Sequence, residues 1–447
     1  MANERDFYLI KLELQGFKNI SKKVSLSFYN DTINKASLLK QGNSVKAIYG
    51  TNGAGKSAIM IGLNVLRNIL LNEQYLIQNN NELLDLINFE TKQAYIKAII
   101  ALNHDSFHVY QYELSLGINN SNRVFIQDEK ISSIMGNTIN ATPKLLFENT
   151  DGRLAVNDDA QFYAPIVNRV QNLLVYQSMV STIFNIYFGD KSLQKELKEK
   201  FNNDEPIIVM NGFARSFLVY LDVEDQNHDV WVKRRLRQNN IVDMFNQFVQ
   251  NLNIPRYAKI VKKEDLPYFE EEIAAKTKFI KTFKPRLDDI LIDKKLIQDG
   301  IYLCELYFKY GSTKIALEFE STGIKKLFEL YSYIKFADDG GIVFIDELDS
   351  NIHDVYLSNL IAYFTLYGKG QLCFTTHDIR IMDVLKKQKH SIDFLNDNQE
   401  LISWVKNSHY NPISLYVDGM IPGSPFNIDP YYYLPIFNTQ HPDSNRG

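Results

Sequence analysis

The sequence is poor in cysteine, with two in 447 residues, and its net charge is only -4. Two lone thiols exclude a disulfide scaffold and are typical of a reducing compartment, and their apolar neighbours predict that Cys304 and Cys373 are core residues. The balance of 49 basic and 53 acidic residues leaves no overall basic field for nucleic acid or an anionic membrane. No apolar run approaches the roughly 18–20 residues of a membrane helix, and the first residues lack the apolar stretch of a signal peptide. We therefore expect a cytoplasmic protein that has no membrane partner.

What the chain does contain is enough apolar mass for a large core. Hydrophobic residues make up 45% and charged residues 23%, which excludes disordered and collagen-like chains. The length allows two to four domains, or one large domain with an insertion, at roughly 100–200 residues per domain.

The first half of the sequence has strand periodicity on both sides of one helix. Alternating residues predict strands between Phe7 and Phe28, and an apolar run into Gly50 predicts a further strand at a sheet edge. Helical spacing follows over residues 58–77, and alternation over residues 93–131 predicts an antiparallel meander.

The second half changes from a helical to a β/α pattern. Residues 160–300 are mainly helical in pattern, without a sustained heptad repeat that would indicate a coiled-coil arm. From Ile301 onward strands alternate with helices, which predicts a largely parallel sheet.

A phosphate-binding loop is the most specific feature of the sequence. Gly50–Ser57 fits G-x-x-x-x-G-K-[ST] and lies between an apolar strand and an amphipathic helix, a context that argues against a chance match. Backbone N–H groups of such a loop surround phosphates, Lys56 reaches the β- and γ-phosphates, and Ser57 ligates Mg²⁺. The predicted nucleotide contacts are Asn52, Gly53, Ala54, Gly55, Lys56 and Ser57.

A second strand ends in two carboxylates. Ile342–Ile345 is followed by Asp346, which we expect to hold Mg²⁺, and by Glu347, which we expect to act as general base on the attacking water. Buried strands often end in acidic loops, so this pattern alone is a weak indication of a nucleotide site. It becomes a strong one because the phosphate loop Gly50–Ser57 is present in the same chain. A third strand ends at His377, which we expect beside the γ-phosphate because ligands bind at the carboxyl ends of such strands; the alternative is a surface histidine.

These motifs and their order resemble ABC-type ATPases of the SMC, Rad50 and OLD branch. Glu320–Lys326 resembles the signature loop, with Ser321 and Gly323 in its S-x-G-x-K form. Leu348–Ser350 resembles the D-loop, so Asp349 becomes a candidate nucleotide contact, and His377 resembles the switch histidine.

Two further positions match the motifs of these ATPases less closely. His353 falls where many OLD-like ATPases carry histidine. No Q-loop glutamine is obvious, and Gln177 is the candidate for that position and for an additional metal ligand.

The resemblance implies a fold and a domain order. It implies an α/β P-loop NTPase with an ABC-type ATPase head, in which a mixed or parallel sheet core joins an antiparallel meander, and a helical insertion. Residues 1–180 would form the N-terminal half of the ATPase lobe, 181–300 the mainly helical insertion and 301–447 the C-terminal half.

The resemblance also implies an ATPase mechanism between two subunits. ATP and Mg²⁺ would bind at Gly50–Ser57 of one subunit, and Ser321 and Gly323 of a second subunit would cover the nucleotide in a head-to-tail dimer or a higher homo-oligomer. Hydrolysis at Glu347 would then remove the bridge between the subunits.

Two basic clusters are candidate contacts for nucleic acid or for an acidic partner. They lie at residues 233–237 and 276–286, and the alternative interpretation is a solvated helix face, since three glutamates precede the second cluster. Tyr431–Tyr433 is either an exposed aromatic interface or a segment packed on the lobe.

The effector is expected on another polypeptide. The remaining histidines are scattered without metal-ligand spacing, and no second catalytic constellation is visible. Stand-alone OLD-like ATPases resemble components of bacterial antiphage defence, which implies a sensor or scaffold that controls a separately encoded nuclease or toxin. The alternatives are a DNA repair or recombination ATPase that clamps DNA, and a nucleotide-gated assembly protein.

Overall fold

The computed structural model describes residues 6–41, 44–104, 106–157, 164–189, 205–221, 257–298, 300–404, 411–421, 424, 431 and 436. Its strands form three sheets. The helices are α1 (Lys35–Gln41), α2 (Lys56–Leu71), α3 (Tyr75–Gln78), α4 (Asn80–Leu86), α5 (Ala164–Val170), α6 (Met179–Gly189), α7 (Pro206–Ser216), α8 (Leu266–Phe283), α9 (Thr322–Asp338), α10 (Asp354–Tyr367), α11 (Arg380–Leu385) and α12 (Pro412–Val417). Within the described ranges, none of these helices combines the length and apolar character needed to cross a membrane.

An antiparallel sheet of seven strands contains the predicted meander. Its strands are β1 (Phe7–Gln15), β2 (Val24–Ser27), β4 (Gln93–Asn103), β5 (Phe107–Ile118), β6 (Val124–Ser133), β7 (Lys144–Thr150) and β8 (Arg153–Val156), and β3 (Ser44–Gly50) lies in another sheet. The order is β2-β1-β4-β5-β6-β7-β8, so β1, near the beginning of the chain, pairs directly with β4, the first strand of the meander. The prediction of a meander is confirmed.

The six-stranded sheet carries the phosphate loop. Besides β3 it contains β9 (Phe217–Tyr220), β14 (Ile342–Ile345), β15 (Gln371–Thr375), β16 (Ile392–Leu395) and β17 (Leu401–Ser403), in the order β17-β16-β3-β15-β14-β9. All pairs are parallel except β16 with β17. Every residue of β3 is buried, as expected for a parallel strand covered on both faces. The prediction of a sheet edge at this strand was therefore wrong, because β3 lies inside the sheet.

A small antiparallel sheet accounts for the other strands of the second half. It contains β10 (Lys259–Lys262), β11 (Asp289–Gln298), β12 (Ile301–Tyr310) and β13 (Thr313–Ala316), with β12 paired to the other three. The strands predicted after Ile301 thus belong to two sheets, and β14, β15 and β16 are the parallel ones.

The chain between residues 160 and 300 is less helical than its pattern indicates. It holds α5 to α8 but also β9, β10 and β11. A short apolar run such as β9 has no periodicity that distinguishes a strand from a buried helix, and parallel pairing with β14 decides its state. The predicted domain boundaries at residues 180 and 300 stay a prediction. Within the segment 181–300, β9 belongs to the six-stranded sheet.

The predicted helix over residues 58–77 is interrupted. α2 ends at Leu71, where Asn72 turns to an extended conformation and its side-chain oxygen accepts a hydrogen bond from Gln74 N at 3.1 Å. Asparagine competes in this way with helical backbone bonds, so the helical spacing continues into α3 only after a break.

The two faces of the six-stranded sheet support separate cores. Ile48 and Phe344 face the core shared with α2, α6, α7 and the seven-stranded sheet. Tyr49 and Val343 face the core built with α9, α10 and α11. Because successive strand residues alternate between faces, β3 and β14 are fixed from both sides, and each large buried side chain contributes about 1.5–3 kcal/mol. Both cysteines are free and buried, which confirms their prediction as core residues.

A buried ion pair crosses the six-stranded sheet. Lys46 Nζ on β3 lies 2.5 Å from Asp393 Oδ2 on β16, and both side chains are fully buried. Ser403 on β17 donates to the other carboxylate oxygen at 2.7 Å. The pair fixes β3 beside β16 at the end of the strand away from the phosphate loop.

Candidate functional site

The carboxyl ends of three neighbouring parallel strands meet at one edge of the six-stranded sheet. β15 lies between β3 and β14. The phosphate loop follows β3, His377 follows β15, and Asp346 follows β14. Adjacent strands are about 4.8 Å apart, so residues that are some 300 positions apart in the sequence come close together at this edge, which we call the cleft.

Glycine conformations shape the phosphate loop. Gly53 and Gly55 have φ values of 84° and 110°, a region that other residues rarely adopt. A Cβ atom on Gly55 would lie 2.8 Å from the Ile20 side chain, so the loop also needs glycine there for space. α2 begins directly after Gly55, which places the N–H groups of its first turn at the loop.

Lys56 is held beneath the loop. Its Nζ donates to the carbonyl oxygens of Gly50 at 2.8 Å and Thr51 at 3.0 Å. Burial lowers the pKa of Lys56, and the nearby carboxylates, Asp346 first among them, partly offset this effect. The Lys56 ammonium therefore lies within electrostatic range of the acidic strand end.

Thr375 organises both carboxylate residues. Its hydroxyl donates to Asp346 Oδ1 at 2.6 Å and accepts a hydrogen bond from the Glu347 N–H at 2.7 Å. Asp346 is only 8% exposed, whereas Glu347 is exposed and has a φ of 48°. One buried hydroxyl from the neighbouring strand thus fixes where the Asp346 carboxylate and the Glu347 backbone lie.

His377 and the D-loop-like segment lie together. The backbone N–H of His377 donates to Asp349 Oδ2 at 3.1 Å. Burial lowers the pKa of His377 below its ordinary value of 6.5, and the charge of Lys56 lowers it further. The imidazole is therefore neutral at pH 7, with one donor and one acceptor nitrogen. His353 caps α10, where its Nδ1 accepts from the Val355 N–H at 3.3 Å.

The predicted signature residues begin α9. Ser321 occupies the N-cap position and is exposed, and Gly323 lies against the loop after β14. A Cβ on Gly323 would approach the Asn351 carbonyl oxygen to 2.3 Å, so glycine permits this contact. None of the hydrogen bonds of the described residues joins Ser321 or Gly323 to the phosphate loop of the same chain.

Glu320 anchors the beginning of that helix. Its carboxylate accepts from Tyr310 at 2.6 Å and pairs with Lys284 at 3.0 Å. Burial alone would raise the pKa of Glu320, but these hydrogen bonds and the Lys284 charge lower it overall. A charged Glu320 therefore ties the helix to the small sheet and to the end of α8.

The magnesium ligands predicted from the sequence fit a site that is shared with a nucleotide. No group of three or more histidine, cysteine or acidic side chains that would hold a metal exists in the part of the chain that is described. Mg²⁺ usually takes one or two protein oxygens and completes its shell with phosphates and water. Ser57 and the Asp346 carboxylate, held by Thr375, suit that pattern.

Gln177 lies just before α6 and is buried. Its side-chain oxygen accepts from Thr182 at 3.4 Å, and no described hydrogen bond brings it to the phosphate loop. Its assignment as Q-loop residue and metal ligand stays a prediction.

The sequence patterns did not reveal the residues that fasten the phosphate loop from outside. Asn19 donates to the Gly53 carbonyl, and Thr51 donates to Asp397. Gln399 accepts from Ser21 N at 2.8 Å and donates to Asn19 O at 2.6 Å. The only sequence signal was a concentration of polar residues in two turns, which is common at protein surfaces.

The second basic cluster is partly neutralised within the protein. Lys276 pairs with Glu272 at 2.9 Å and is almost buried, and Lys284 pairs with Glu320. Lys278, Lys281 and Arg286 remain at the surface. The first cluster, at 233–237, lies outside the described residues, as do Tyr432 and Tyr433.

One family model matches part of the chain. Residues 188–383 match the family model described as AAA domain, putative AbiEii toxin, Type IV TA system. This match covers less than half of the chain and includes the acidic strand but not the phosphate loop. No curated protein matches the sequence.

Solved structures of a recombination mediator are similar over most of the chain. The RecF-ATPrS structure from the RecFOR pathway is 11% identical, with 91% of this chain and 100% of that chain covered and a TM-score of 0.38. The RecF-ATP structure is 13% identical, with 90% of this chain and 99% of that chain covered and a TM-score of 0.37. The phosphate loop and the strand order give the chain the α/β fold of a P-loop NTPase, and residues 188–383 are similar to an AAA domain.

Proposed function

We propose that this protein binds and hydrolyses ATP with Mg²⁺, and that ATP joins two copies head to tail. The observation that carries this proposal is the meeting of the phosphate loop, Asp346, Glu347 and His377 at the carboxyl ends of β3, β14 and β15. Fixed donors and a fixed carboxylate in one cleft are what phosphoryl transfer requires, because its catalysis is mostly positioning and electrostatic stabilisation.

Each residue has a distinct role in the proposed reaction. The loop N–H groups and Lys56 bind the phosphates. Ser57 and Asp346 would hold the metal ion, which would neutralise charge on the phosphate oxygens. Glu347 accepts the proton of the attacking water. The neutral His377 donates a hydrogen bond to the γ-phosphate.

A second copy completes the proposed site. Ser321 is exposed at the beginning of a 17-residue helix and has no described hydrogen bond to the phosphate loop of its own chain. Helix N-termini bind anions through their free N–H groups. ATP bound to one subunit therefore presents its phosphate to Ser321 and Gly323 of the other.

The output of this dimer is control of a separately encoded effector, which we propose to be a nuclease or toxin in antiphage defence. The family description, with its putative toxin and toxin–antitoxin system, supports this proposal. Purification of the tagged protein from native cells in complex with the product of a neighbouring gene is the expected result. Purification without such a partner contradicts it.

Nucleotide hydrolysis is tested with two variants that separate binding from chemistry. Lys56→Ala removes the phosphate-binding charge and should abolish binding of a fluorescent ATP analogue. Glu347→Gln should retain binding and lower kcat by about 10²–10⁴, the usual contribution of a general base. Equal loss of binding in both variants contradicts the assigned roles. Salt-sensitive stimulation of hydrolysis by DNA, lost in Lys281→Ala, would instead favour a DNA clamp.

A further inference from the structure

Lys326 is a buried cation at the end of the signature-like segment Glu320–Lys326, one turn after Gly323. It is 4% exposed, on the face of α9 that lies against the acidic strand end. Its Nζ donates to the backbone carbonyl of Glu347 at 2.5 Å and to the Ser350 hydroxyl. A single ammonium thus joins the signature helix, the proposed general base and the D-loop-like segment.

The backbone of Glu347 needs such support. Its φ of 48° lies in the left-handed region, which is unfavourable for a residue with a side chain. The N–H of Glu347 is held by Thr375 at 2.7 Å, and its carbonyl is held by Lys326. Both polar groups of the residue are therefore fixed, one by the neighbouring strand and one by α9.

Lys326 connects Glu347 to the end of α9 that meets the second copy. Ser321 begins this helix five residues before Lys326, and Gly323 lies against Asn351. A shift of the helix start therefore moves the ammonium that holds the Glu347 carbonyl, because an α-helix moves as a rigid element over one or two turns.

We propose that Lys326 is a positioning residue that couples engagement of the signature by the second copy to the orientation of the general base Glu347. This inference rests on the proposed function. It assigns the regulation of hydrolysis to the hydrogen bond between Lys326 and the Glu347 carbonyl. Glu347 is aligned when the second copy engages the start of α9, so hydrolysis follows dimer formation. A displacement of about 1 Å at a reacting group can lower a rate about 100-fold, which makes one hydrogen bond sufficient for such control.

The test compares Lys326→Met with Lys326→Arg and with a control on the same helix. Lys335→Met removes an exposed lysine paired with Asp339, far along α9 from the signature. Phosphate release gives kcat and KM for ATP, and a fluorescent ATP analogue gives the dissociation constant. We expect Lys326→Met to lower kcat about 10- to 100-fold with KM and analogue binding within about threefold of the wild type. Lys326→Arg should recover part of kcat, and Lys335→Met should match the wild type.

Other outcomes overturn the inference. A Lys326→Met kcat within twofold of the wild type excludes coupling through this residue. Equal losses of kcat and analogue binding, without recovery in Lys326→Arg, indicate a purely structural role. If Lys326→Met does not fold, Ser350→Ala removes the second acceptor of Lys326 and should lower kcat severalfold at unchanged binding; an unchanged kcat contradicts the inference. A wild-type protein that does not hydrolyse ATP overturns the proposed function as well, which distinguishes the two failures.

Discussion

Thr375→Val is the substitution that isolates the organisation of the acidic strand end. Valine has nearly the volume of threonine and suits a β-strand, so the fully buried site keeps its packing. The variant loses the hydrogen bond to the Asp346 carboxylate at 2.6 Å and the one from the Glu347 N–H at 2.7 Å. A hydrogen bond to a charged group contributes about 1.5–3 kcal/mol and a neutral one about 1 kcal/mol.

The expected effect on turnover follows from these two bonds. If most of about 2.5–4 kcal/mol is expressed in the transition state, kcat falls roughly 50- to 500-fold, at about 1.4 kcal/mol per factor of ten. ATP binding should change little, because Lys56 and the loop are untouched. Phosphate release and analogue binding, measured on the same preparation, give both values.

A matched substitution controls for the loss of a buried hydroxyl. Thr277 on α8 is also buried, and its hydroxyl donates to the Ile273 carbonyl of its own helix at 2.8 Å. Thr277→Val should therefore leave kcat within about twofold, in line with the loss of one neutral hydrogen bond inside α8. A Thr375→Val enzyme as active as Thr277→Val would refute the conclusion that the Thr375 hydroxyl positions Asp346 and Glu347 for catalysis.

Three further predictions concern packing, pH and charge. Gly323→Ala forces a Cβ to within 2.3 Å of the Asn351 carbonyl, so ATP-dependent dimerisation should weaken at least tenfold in light scattering while analogue binding persists. Burial and the Lys46 charge lower the pKa of His390 in the folded protein. As the pH falls below 6.5, His390 is therefore protonated in the unfolded chain before it is protonated in the folded one, and the free energy of unfolding should decline. His390→Asn should show a smaller fall in Tm between pH 7.5 and 5.5. Lys46→Met should cost about 3–5 kcal/mol in urea unfolding, and Lys46→Met with Asp393→Leu should recover most of it.

Each of these has a contradicting result. Unchanged dimerisation in Gly323→Ala would show that the helix start has room to adjust. An equal fall in Tm for His390→Asn and the wild type would assign the pH dependence to other groups. A double variant as unstable as Lys46→Met would mean that the apolar pair does not fill the site.

The chemistry of the site could be predicted from the sequence because its main parts are local. The phosphate loop is a contiguous motif that needs glycine at Gly53 and Gly55, and the acidic strand end is an apolar run followed by Asp346. Their meeting follows from one rule, since the carboxyl ends of parallel strands share an edge.

Contacts between distant residues could not be predicted in the same way. Thr375 is 29 positions from Asp346, and no spacing rule reports which hydroxyl of a neighbouring strand faces a carboxylate. Lys326 reads as one more charge on an amphipathic helix until the fold places it against Glu347. β9 was missed because parallel pairing, and not periodicity, determines that a short apolar run is a strand.

The most direct test of the account is the mass of Glu347→Gln in solution with ATP and with ADP. Glu347→Gln retains the phosphate loop and should bind ATP while hydrolysing it about 10²–10⁴ times more slowly than the wild type. Light scattering should then report twice the 51.8 kDa mass of the chain with ATP and Mg²⁺, and the single-chain mass with ADP. A single-chain mass in both nucleotides, in a protein shown to bind ATP, would contradict the proposal that ATP joins two copies.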